Sequence, residues 1–278
     1  MNYRHAYHAG NFADVMKHAL LTRILVHLRK KPAPFRIIDS HAGIGLYDLA
    51  ADEAEKTGEW RSGIGLMAEP LGPEAEELLA PWRAILGAVR ERFGPDAYPG
   101  SPMVAREMLR PEDRAVFVEK HPEDIARLAG RFRRDANIKV VHLDGWLGLG
   151  GFIPPKERRG LVLIDPPFEE TGEFARCADR LVRAERRWPT GIYALWYPIK
   201  HRAEIDRFAR ALSGGLSSPT LRLELDIAPA DGTRLSGSGL VVVNPPWTLA
   251  GEAEILLPAL AGRFGGSSAI EHLVRETS

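Results

Sequence analysis

Gly160-Leu-Val-Leu-Ile-Asp165-Pro-Pro-Phe168 is a short, uniformly apolar run that ends in an acid, two prolines and an aromatic ring. A run of this length, bounded by turn-forming residues, is typical of a strand buried on both faces of a sheet. Comparable runs occur at 35–39, 115–119, 139–144 and 192–197, with amphipathic helical segments between them. Two further runs, 221–227 and 239–244, follow one another without a helix and are expected to pair antiparallel. The alternation predicts a doubly wound α/β fold with a mainly parallel sheet of seven strands.

The composition is that of an ordinary globular protein without net charge. Of the 278 residues 45% are hydrophobic, and 37 Lys and Arg balance 37 Asp and Glu, so a nucleic-acid-binding surface would have to be a local patch. Cys177 is the only cysteine, which excludes an internal disulfide and a Cys-based zinc cluster. The sequence contains no apolar run of membrane-spanning length and no signal-peptide core. We therefore expect a cytoplasmic, monomeric protein that binds neither a membrane nor a metal.

Residues 46–98 interrupt the alternation of strands and helices. This segment is polar and helix-prone, and its clearest amphipathic helix extends from Glu74 to Arg92. The order returns at Pro99-Gly-Ser101-Pro102, where Ser101 is a natural helix N-cap and Pro102 fits the first helical position. We predict a main domain of residues 1–45 and 99–278 and an inserted helical subdomain of residues 46–98.

Acidic residues end four consecutive strands of the predicted sheet. The four strands end in Asp39, Glu119, Asp144 and Asp165. Ligands of such sheets bind at the carboxyl ends of the strands. The turn Gly43-Ile-Gly45 after the first strand lets backbone approach a ligand closely, and an acid on the next strand can accept the ribose hydroxyls of an adenosine-containing cofactor. The spacing Asp-x-x-x-Gly-x-Gly is the methyltransferase form, so S-adenosylmethionine is the expected cofactor.

The quartet Asp165-Pro-Pro-Phe168 predicts the chemistry. The amino nitrogen of adenine is conjugated with its ring, and a carboxylate and a carbonyl that accept its two N–H groups can aim its lone pair at a methyl group. The prolines hold these acceptors rigid, and Phe168 can stack on the base. Asp165 is therefore the expected catalytic acceptor in N6-methylation of adenine. The alternative interpretation of the quartet is purely structural: a Pro-Pro turn through which the strand leaves the sheet.

A second copy of the quartet, Asn244-Pro-Pro-Trp247, follows the last predicted strand. Because that strand is expected to be antiparallel, its end should point away from the crevice at Asp165. We therefore predict a structural role for Asn244.

The N-terminal segment is rich in histidine and basic side chains. A solvated basic terminus and a segment that folds over the site to contact phosphate both fit this composition. Lys17 and His18 are neighbours on a predicted helix, so they are expected to lie on different faces.

Six motifs together resemble one known family. They are Tyr3-Arg-His-x-x-His-Ala-Gly-Asn-x-Ala-Asp-Val-x-Lys-His18, Asp39-x-His-Ala-Gly-x-Gly45, Tyr98-Pro-Gly-Ser-Pro102, Ile164-Asp-Pro-Pro167, Tyr193-Ala-Leu-Trp-Tyr-Pro198 and Val243-Asn-Pro-Pro-Trp247. Across the whole chain the sequence is similar to the RlmJ family of 23S ribosomal RNA adenine-N6 methyltransferases. The resemblance implies a class I S-adenosylmethionine-dependent methyltransferase fold, Rossmann-like with a small helical insertion, and a 23S rRNA adenine as methyl acceptor.

The resemblance also implies roles for individual residues. Cofactor contacts are implied for His18, His41, Ser101, Glu119, Asp144, Gly145 and Asp165. Substrate contacts are implied for Tyr3, His5, Lys17 and Phe168, with Asp165 as the catalytic residue. Phe168 stands where the better-known members have tyrosine, so the ring is kept and the hydroxyl is lost.

Alternatives from other classes stay open at this point. A DNA adenine-N6 methyltransferase would use the same quartet, although residues 46–98 are short for a target-recognition domain. A protein glutamine methyltransferase favours Asn in the first position of the quartet. A non-enzymatic RNA-binding protein would have no affinity for a methyl donor.

Overall fold

A mainly parallel sheet organises the computed structural model, which describes residues 4–232 and 234–275. In chain order the strands are β1 (Arg36–Asp39), β2 (Leu46–Asp48), β3 (Ala97–Pro99), β4 (Arg114–Glu119), β5 (Ile138–His142), β6 (Gly160–Ile164), β7 (Ile192–Ile199), β8 (Thr220–Asp226), β9 (Gly237–Val243) and β10 (Ser267–Val274). The main sheet has the order β10-β8-β9-β7-β6-β1-β4-β5. Neighbours from β5 to β7 pair parallel, whereas β9 is antiparallel to both β7 and β8. The predicted α/β class and the antiparallel pair are confirmed.

The main sheet has one strand more than the seven predicted. In the described part of the chain the additional strand, β10, pairs antiparallel with β8 at the edge of the sheet. Its side chains are half-buried or exposed, so it lacks the apolar run that marks the central strands.

Helices cover both faces of the main sheet. They are α1 (Phe12–Arg29), α2 (Asp52–Thr57), α3 (Pro73–Phe93), α4 (Ser101–Met108), α5 (Pro122–Phe132), α6 (Gly145–Phe152), α7 (Glu173–Arg187), α8 (Arg202–Gly215) and α9 (Leu249–Phe264). One hydrophobic core contains side chains of α1, α4, α5 and α9, and the other contains those of α6, α7 and α8. Successive side chains of a strand enter opposite cores: Ile37 of β1 belongs to the first and Ile38 to the second.

Two helix starts position residues of the site. Asn11 caps α1 as predicted, because its side chain accepts a hydrogen bond of 3.0 Å from the N–H of Asp14. The prediction that Ser101 caps α4 is wrong. Gly100 is the N-cap and Ser101 is the first helical residue. The hydroxyl of Ser101 does not cap the helix but donates to Asp39 over 2.6 Å.

Residues 46–98 leave the main sheet and return to it through a two-stranded stem. Strands β2 and β3 pair antiparallel, and the N–H of Gly100 donates to the carbonyl oxygen of Gly45 over 3.0 Å. Between them lie α2, two short 3₁₀ helices (Glu59–Ser62 and Ile64–Ala68) and α3. Trp82 of α3 is fully buried in the same core as α1 and α4. The division into a main domain and an inserted subdomain remains a prediction.

Candidate active site

A cavity of about 610 Å³ lies at the carboxyl ends of β1, β4 and β6. Parallel strands that are neighbours in a sheet end at the same edge, so the acids that end them are brought together. Nine of the predicted site residues line this cavity: His5, Lys17, His18, His41, Ser101, Glu119, Asp144, Gly145 and Asp165. The lining also carries seven carboxylates against three Lys and Arg side chains. This excess of negative charge favours a ligand with a positively charged centre.

Asp165 follows β6 directly and is held by a lysine from α1. The Nζ of Lys17 lies 2.5 Å from Oδ2 of Asp165 and 2.8 Å from Oδ1 of Asp14. The side chain of Lys17 is 5% exposed and that of Asp165 is 14% exposed, so the ion pair is almost removed from water. Burial alone would lower the pKa of Lys17, but the charges of Asp14 and Asp165 outweigh it and raise that pKa well above its ordinary value. Lys17 is therefore a fixed positive charge beside the predicted catalytic acid.

Asp14 connects the N-terminal segment to this pair. Its Oδ2 accepts from the N–H of Gly10 over 2.9 Å and lies 2.9 Å from Nε2 of His5. Burial would raise the pKa of Asp14, yet the charges of His5 and Lys17 and the hydrogen bond to His5 hold it well below its usual value. One ionised carboxylate thus holds the 3₁₀ turn at His5–Tyr7 against the helix that carries Lys17.

Asp39 ends β1 in a buried position beside Ser101. Its Oδ2 accepts the hydroxyl of Ser101, and its Oδ1 accepts the N–H of His41 over 3.3 Å. Burial raises the pKa of Asp39 to about 7, and the nearby charge of Asp165 acts in the same direction. The Asp39 carboxylate therefore joins the end of β1 to the start of α4 beneath the cavity wall.

Glu119 ends β4 and carries the carboxylate expected to bind a ribose. Its Oε2 accepts the N–H of Gly43 over 2.8 Å, and its Oε1 accepts the N–H of His121 over 2.7 Å. Gly43 has a φ of +60°, which is why a glycine suits this turn. The two backbone bonds fix the carboxylate and leave lone pairs for further donors.

Asp144 and Gly145 form the start of α6 at the opposite wall. The side chain of Asp144 caps the helix by accepting the N–H of Trp146 over 3.0 Å, and it forms an ion pair of 2.9 Å with Lys120. Burial would raise the pKa of Asp144, but the Lys120 ammonium and the cap hold it below its usual range. A Cβ at Gly145 would lie 2.2 Å from the carbonyl oxygen of Ser40, so the wall accommodates only glycine there.

Two histidines of the lining are neutral at physiological pH. Burial lowers the pKa of His18 to about 3 and that of His41 to about 4. His18 shares a hydrogen bond of 3.0 Å with the hydroxyl of Tyr98, and His41 one of 2.9 Å with the hydroxyl of Ser40. Lys17 and His18 both line this cavity, although as helix neighbours they point in different directions: Lys17 contacts Asp165 and His18 contacts Tyr98.

Two predicted substrate contacts have a different outcome. Tyr3 lies outside the described residues, and Phe168 is not part of the cavity lining. Phe168 has a φ of +52°, and its ring packs 4.8 Å from that of Phe174 and 5.9 Å from that of Trp196. Stacking of Phe168 on a base remains a prediction.

The second quartet lies at the other edge of the sheet, as strand direction predicted. Strand β9 is antiparallel to β7, so Asn244 and Asp165 follow strands that end on opposite sides. The side-chain amide of Asn244 donates to the carbonyl oxygens of Pro189 and Gly191 over 2.7 and 2.8 Å. Its contacts are therefore with the protein's own backbone, which agrees with a structural role.

Asp14 and Asp39 belong to the site although the sequence assigned neither a role of its own. The signal for Asp14 was its spacing of three residues before Lys17 on one helix, which brings the side chains together. Asp39 was recognised as one of the acids that end strands, but its hydrogen bond with Ser101, 62 residues further along the chain, could not be read from the local sequence.

Within residues 4–232 and 234–275, no group of three or more His, Cys, Asp or Glu is arranged to hold a metal ion. Within the same residues no helix has both the length and the apolar character that a membrane crossing needs.

Comparisons with known proteins place the chain in a family. Residues 32–274 match the family model described as "Ribosomal RNA large subunit methyltransferase D, RlmJ". The ribosomal RNA large subunit methyltransferase J of Haemophilus influenzae is 38% identical over 261 residues, 94% of this chain and 92% of that protein. Its counterpart of the same name in Escherichia coli is 38% identical over 265 residues, 95% of this chain and 94% of that protein.

A solved structure agrees with these matches. The crystal structure of a protein from Legionella pneumophila superposes with a TM-score of 0.84 at 32% identity, covering 95% of this chain and 97% of that one. The fold is an α/β fold with a mainly parallel sheet that has an additional edge strand. The family predicted from the motifs is confirmed: the chain belongs to the RlmJ family of ribosomal RNA large subunit methyltransferases.

Proposed function

We propose that this protein transfers the methyl group of S-adenosylmethionine to the N6 amino group of an adenine in 23S ribosomal RNA, acting as a monomer in the cytoplasm. The observation that carries the proposal is the position of Asp165. It follows β6 at the edge where the acids of β1 and β4 meet, faces the cavity, and is oriented by Lys17. Family membership supports ribosomal RNA as the acceptor.

The cavity suits the proposed cofactor in three respects. The Glu119 carboxylate uses two of its roughly four lone-pair directions on backbone N–H groups, so two remain for the two ribose hydroxyls. Gly43 and Gly145, where a side chain would collide with Tyr47 and with Ser40, contribute backbone alone to the cavity wall. The carboxylate excess of the lining favours the positive charge of a sulfonium. His18, His41, Ser101 and Asp144 complete the residues that would hold it.

When bound, S-adenosylmethionine supplies an electrophilic methyl group. The task of this chain is then to orient the adenine nitrogen. Lys17 occupies Oδ2 of Asp165, so Oδ1 is the oxygen that would accept an N–H of the amino group and turn its lone pair out of conjugation. A second N–H would be accepted by a backbone carbonyl of the quartet. Transfer would exchange the donor's S–C bond for the new N–C bond and leave a neutral thioether, and Asp165 would be placed to receive the proton that the nitrogen then loses.

The aromatic residues beside the quartet belong to the same proposal. Phe168, Phe174 and Trp196 form a contiguous group of rings, and the Nζ of Lys17 lies 5.8 Å from the Trp196 ring centre. A base that leaves its helix needs an apolar face to replace its stacking. We assign that task to the half-buried ring of Phe168.

The test is a methylation assay with three acceptors and two variants. The wild-type protein should methylate 23S rRNA transcripts at adenine N6, and neither duplex DNA nor protein. Asp165→Ala should bind the donor in calorimetry but lose transfer by at least about a hundred-fold, as expected for removal of a positioned catalytic group. Asp179→Asn, on the exposed side of α7, is the matched control and should retain wild-type rates.

Two outcomes would overturn the proposal. One is methylation of DNA or protein with 23S rRNA left unmodified, and the other is full transfer activity in Asp165→Ala. Mass mapping of 23S rRNA from a deletion strain, with and without complementation, identifies the modified adenine in the cell.

A further inference from the structure

Trp247 is displayed to solvent at the edge of the sheet opposite the active site. Its side chain is 83% exposed, more than any other large hydrophobic residue in the described part of the chain. Single exposed apolar residues are common on protein surfaces, so exposure alone implies nothing. The loop beneath Trp247 and the charges around it supply the further evidence.

The loop that carries Trp247 is built to be rigid. Asn244 donates to two carbonyl oxygens through its side chain, and its own N–H donates to the carbonyl oxygen of Pro219 over 2.8 Å. Its φ of +52° is a conformation that most residues avoid. Pro245 and Pro246 restrict the next two residues. A fixed loop loses little conformational entropy when a ligand binds to the ring it carries.

Basic side chains surround the ring. The Nζ of Lys30 lies 5.9 Å from the Trp247 ring centre. A groove of about 550 Å³ beside the ring is lined by His272 and Arg275 and, among the described residues, by no carboxylate. Around the end of α1 the potential is positive as well: burial lowers the pKa of His27, and the charges of Lys30, Arg159 and Lys31 lower it further against the opposing charge of Glu252.

We propose that Lys30, Trp247, His272 and Arg275, here called the Trp247 surface, form a second contact site for an unpaired stretch of the RNA substrate. An indole ring stacks on the face of any base, and ammonium and guanidinium groups bind the phosphates on either side of it. A protein-binding hot spot would instead surround its tryptophan with tightly packed apolar neighbours. The inference rests on the proposed function for the identity of the RNA, but its binding test does not require catalysis.

Lys17 lies in the N-terminal half of α1 and Lys30 caps its C-terminal end, so an RNA has to extend beyond the target adenine to reach both sites. The experiment therefore compares a full-length 23S rRNA transcript with the shortest fragment that the wild-type protein still methylates. Binding constants are measured by filter binding at several salt concentrations, and kcat/KM is measured for both RNAs. The variants are Trp247→Ala, Trp247→Phe and the double variant Lys30→Ala/Arg275→Ala. Ile255→Ala, which truncates an exposed apolar side chain of α9, is the control.

Trp247→Ala should weaken binding of the full-length transcript by about five-fold or more, the loss expected for one base–aromatic stack. Trp247→Phe should keep most of the affinity, and Ile255→Ala all of it. The double variant should reduce the slope of log affinity against log salt by roughly two, one for each lost phosphate contact. For the short fragment all variants should keep the wild-type kcat/KM.

The inference is wrong if Trp247→Ala binds the full-length transcript as tightly as the wild type. It is also wrong if this variant keeps RNA affinity but loses binding to a purified ribosomal protein, since the surface would then be a protein contact. A wild-type protein that binds RNA through Trp247 but methylates none would overturn the proposed function and leave this inference standing.

Discussion

Replacing Lys17 with methionine removes the charge between two buried carboxylates while keeping a side chain of similar length. In the variant, no cation would lie between the carboxylates of Asp14 and Asp165, which both contact the Lys17 ammonium in the wild type. Breaking a buried ion pair by removal of one partner costs about 3–5 kcal/mol. Asp14 retains His5 and the N–H of Gly10, and Asp165 is partly exposed, so we expect the lower end, about 3 kcal/mol.

The loss should depend on pH in a defined direction. With Lys17 present, the pKa of Asp14 is depressed, so its contribution to stability is present above its unfolded pKa of 3.8 and is lost as the pH falls below it. Without the charge of Lys17, the Asp14 carboxylate binds a proton more readily. The stability deficit of Lys17→Met relative to wild type should therefore be larger at pH 8 than at pH 5.

Urea unfolding at pH 5 and pH 8 measures both effects, and a methylation assay on the folded variant should show loss of transfer. Because Asp14 and Lys17 are in contact, the double variant Asp14→Asn/Lys17→Met should lose at least about 1 kcal/mol less stability than the sum of the losses in the two single variants. Lys120→Met removes an exposed partner of Asp144 and should cost at most about 1 kcal/mol. A loss below 1 kcal/mol for Lys17→Met, equal at both pH values, would refute the reasoning.

Two further variants address residues behind the site and at the opposite edge. Because the folded pKa of Asp39 is raised from 3.8 to about 7, its protonated form stabilises the protein fully below pH 4, and this stability is lost as the pH rises towards and through 7. At pH 8 the ionised Asp39 destabilises the folded wild type by at most about 4 kcal/mol. The Tm of Asp39→Asn minus the Tm of the wild type should therefore be larger at pH 8 than at pH 5. An equal Tm difference at both pH values would contradict the raised pKa of Asp39. Asn244→Ala loses two hydrogen bonds at a positive φ and should cost about 2–3 kcal/mol in urea unfolding while keeping kcat on the short RNA fragment. A folded Asn244→Ala protein with normal donor binding and no transfer would make Asn244 catalytic.

The position of Asp165 was predictable because it depends on strand order and direction. Apolar runs such as Gly160–Ile164 identify buried parallel strands, and the carboxyl ends of such strands meet at one edge. The same reasoning separated Asp165 from Asn244, although their local sequences are alike. The hydrophobic pattern therefore predicts the order and direction of the strands, and these determine where the acidic residues that end them lie.

Side-chain partners across the fold were not predictable in this way. Lys17 and Asp165 are 148 residues apart, and their contact depends on how α1 packs over the end of β6. Strand β10 escaped detection because an edge strand needs no continuous apolar run. The orientation of Phe168 depends on a positive φ that its residue type does not suggest.

The stem formed by β2 and β3 has an evolutionary consequence. Gly45 and Gly100 are joined by a backbone hydrogen bond, so the chain leaves the main sheet before β2 and returns after β3 at neighbouring points. Changes in the length of the segment beyond the stem therefore need not alter the separation of Asp39 and Ser101. Natural variation can lengthen or shorten the outer part of that segment, whereas Tyr47, which lines the cavity, and Glu59, which bonds His8 and Asn11, have to stay in place.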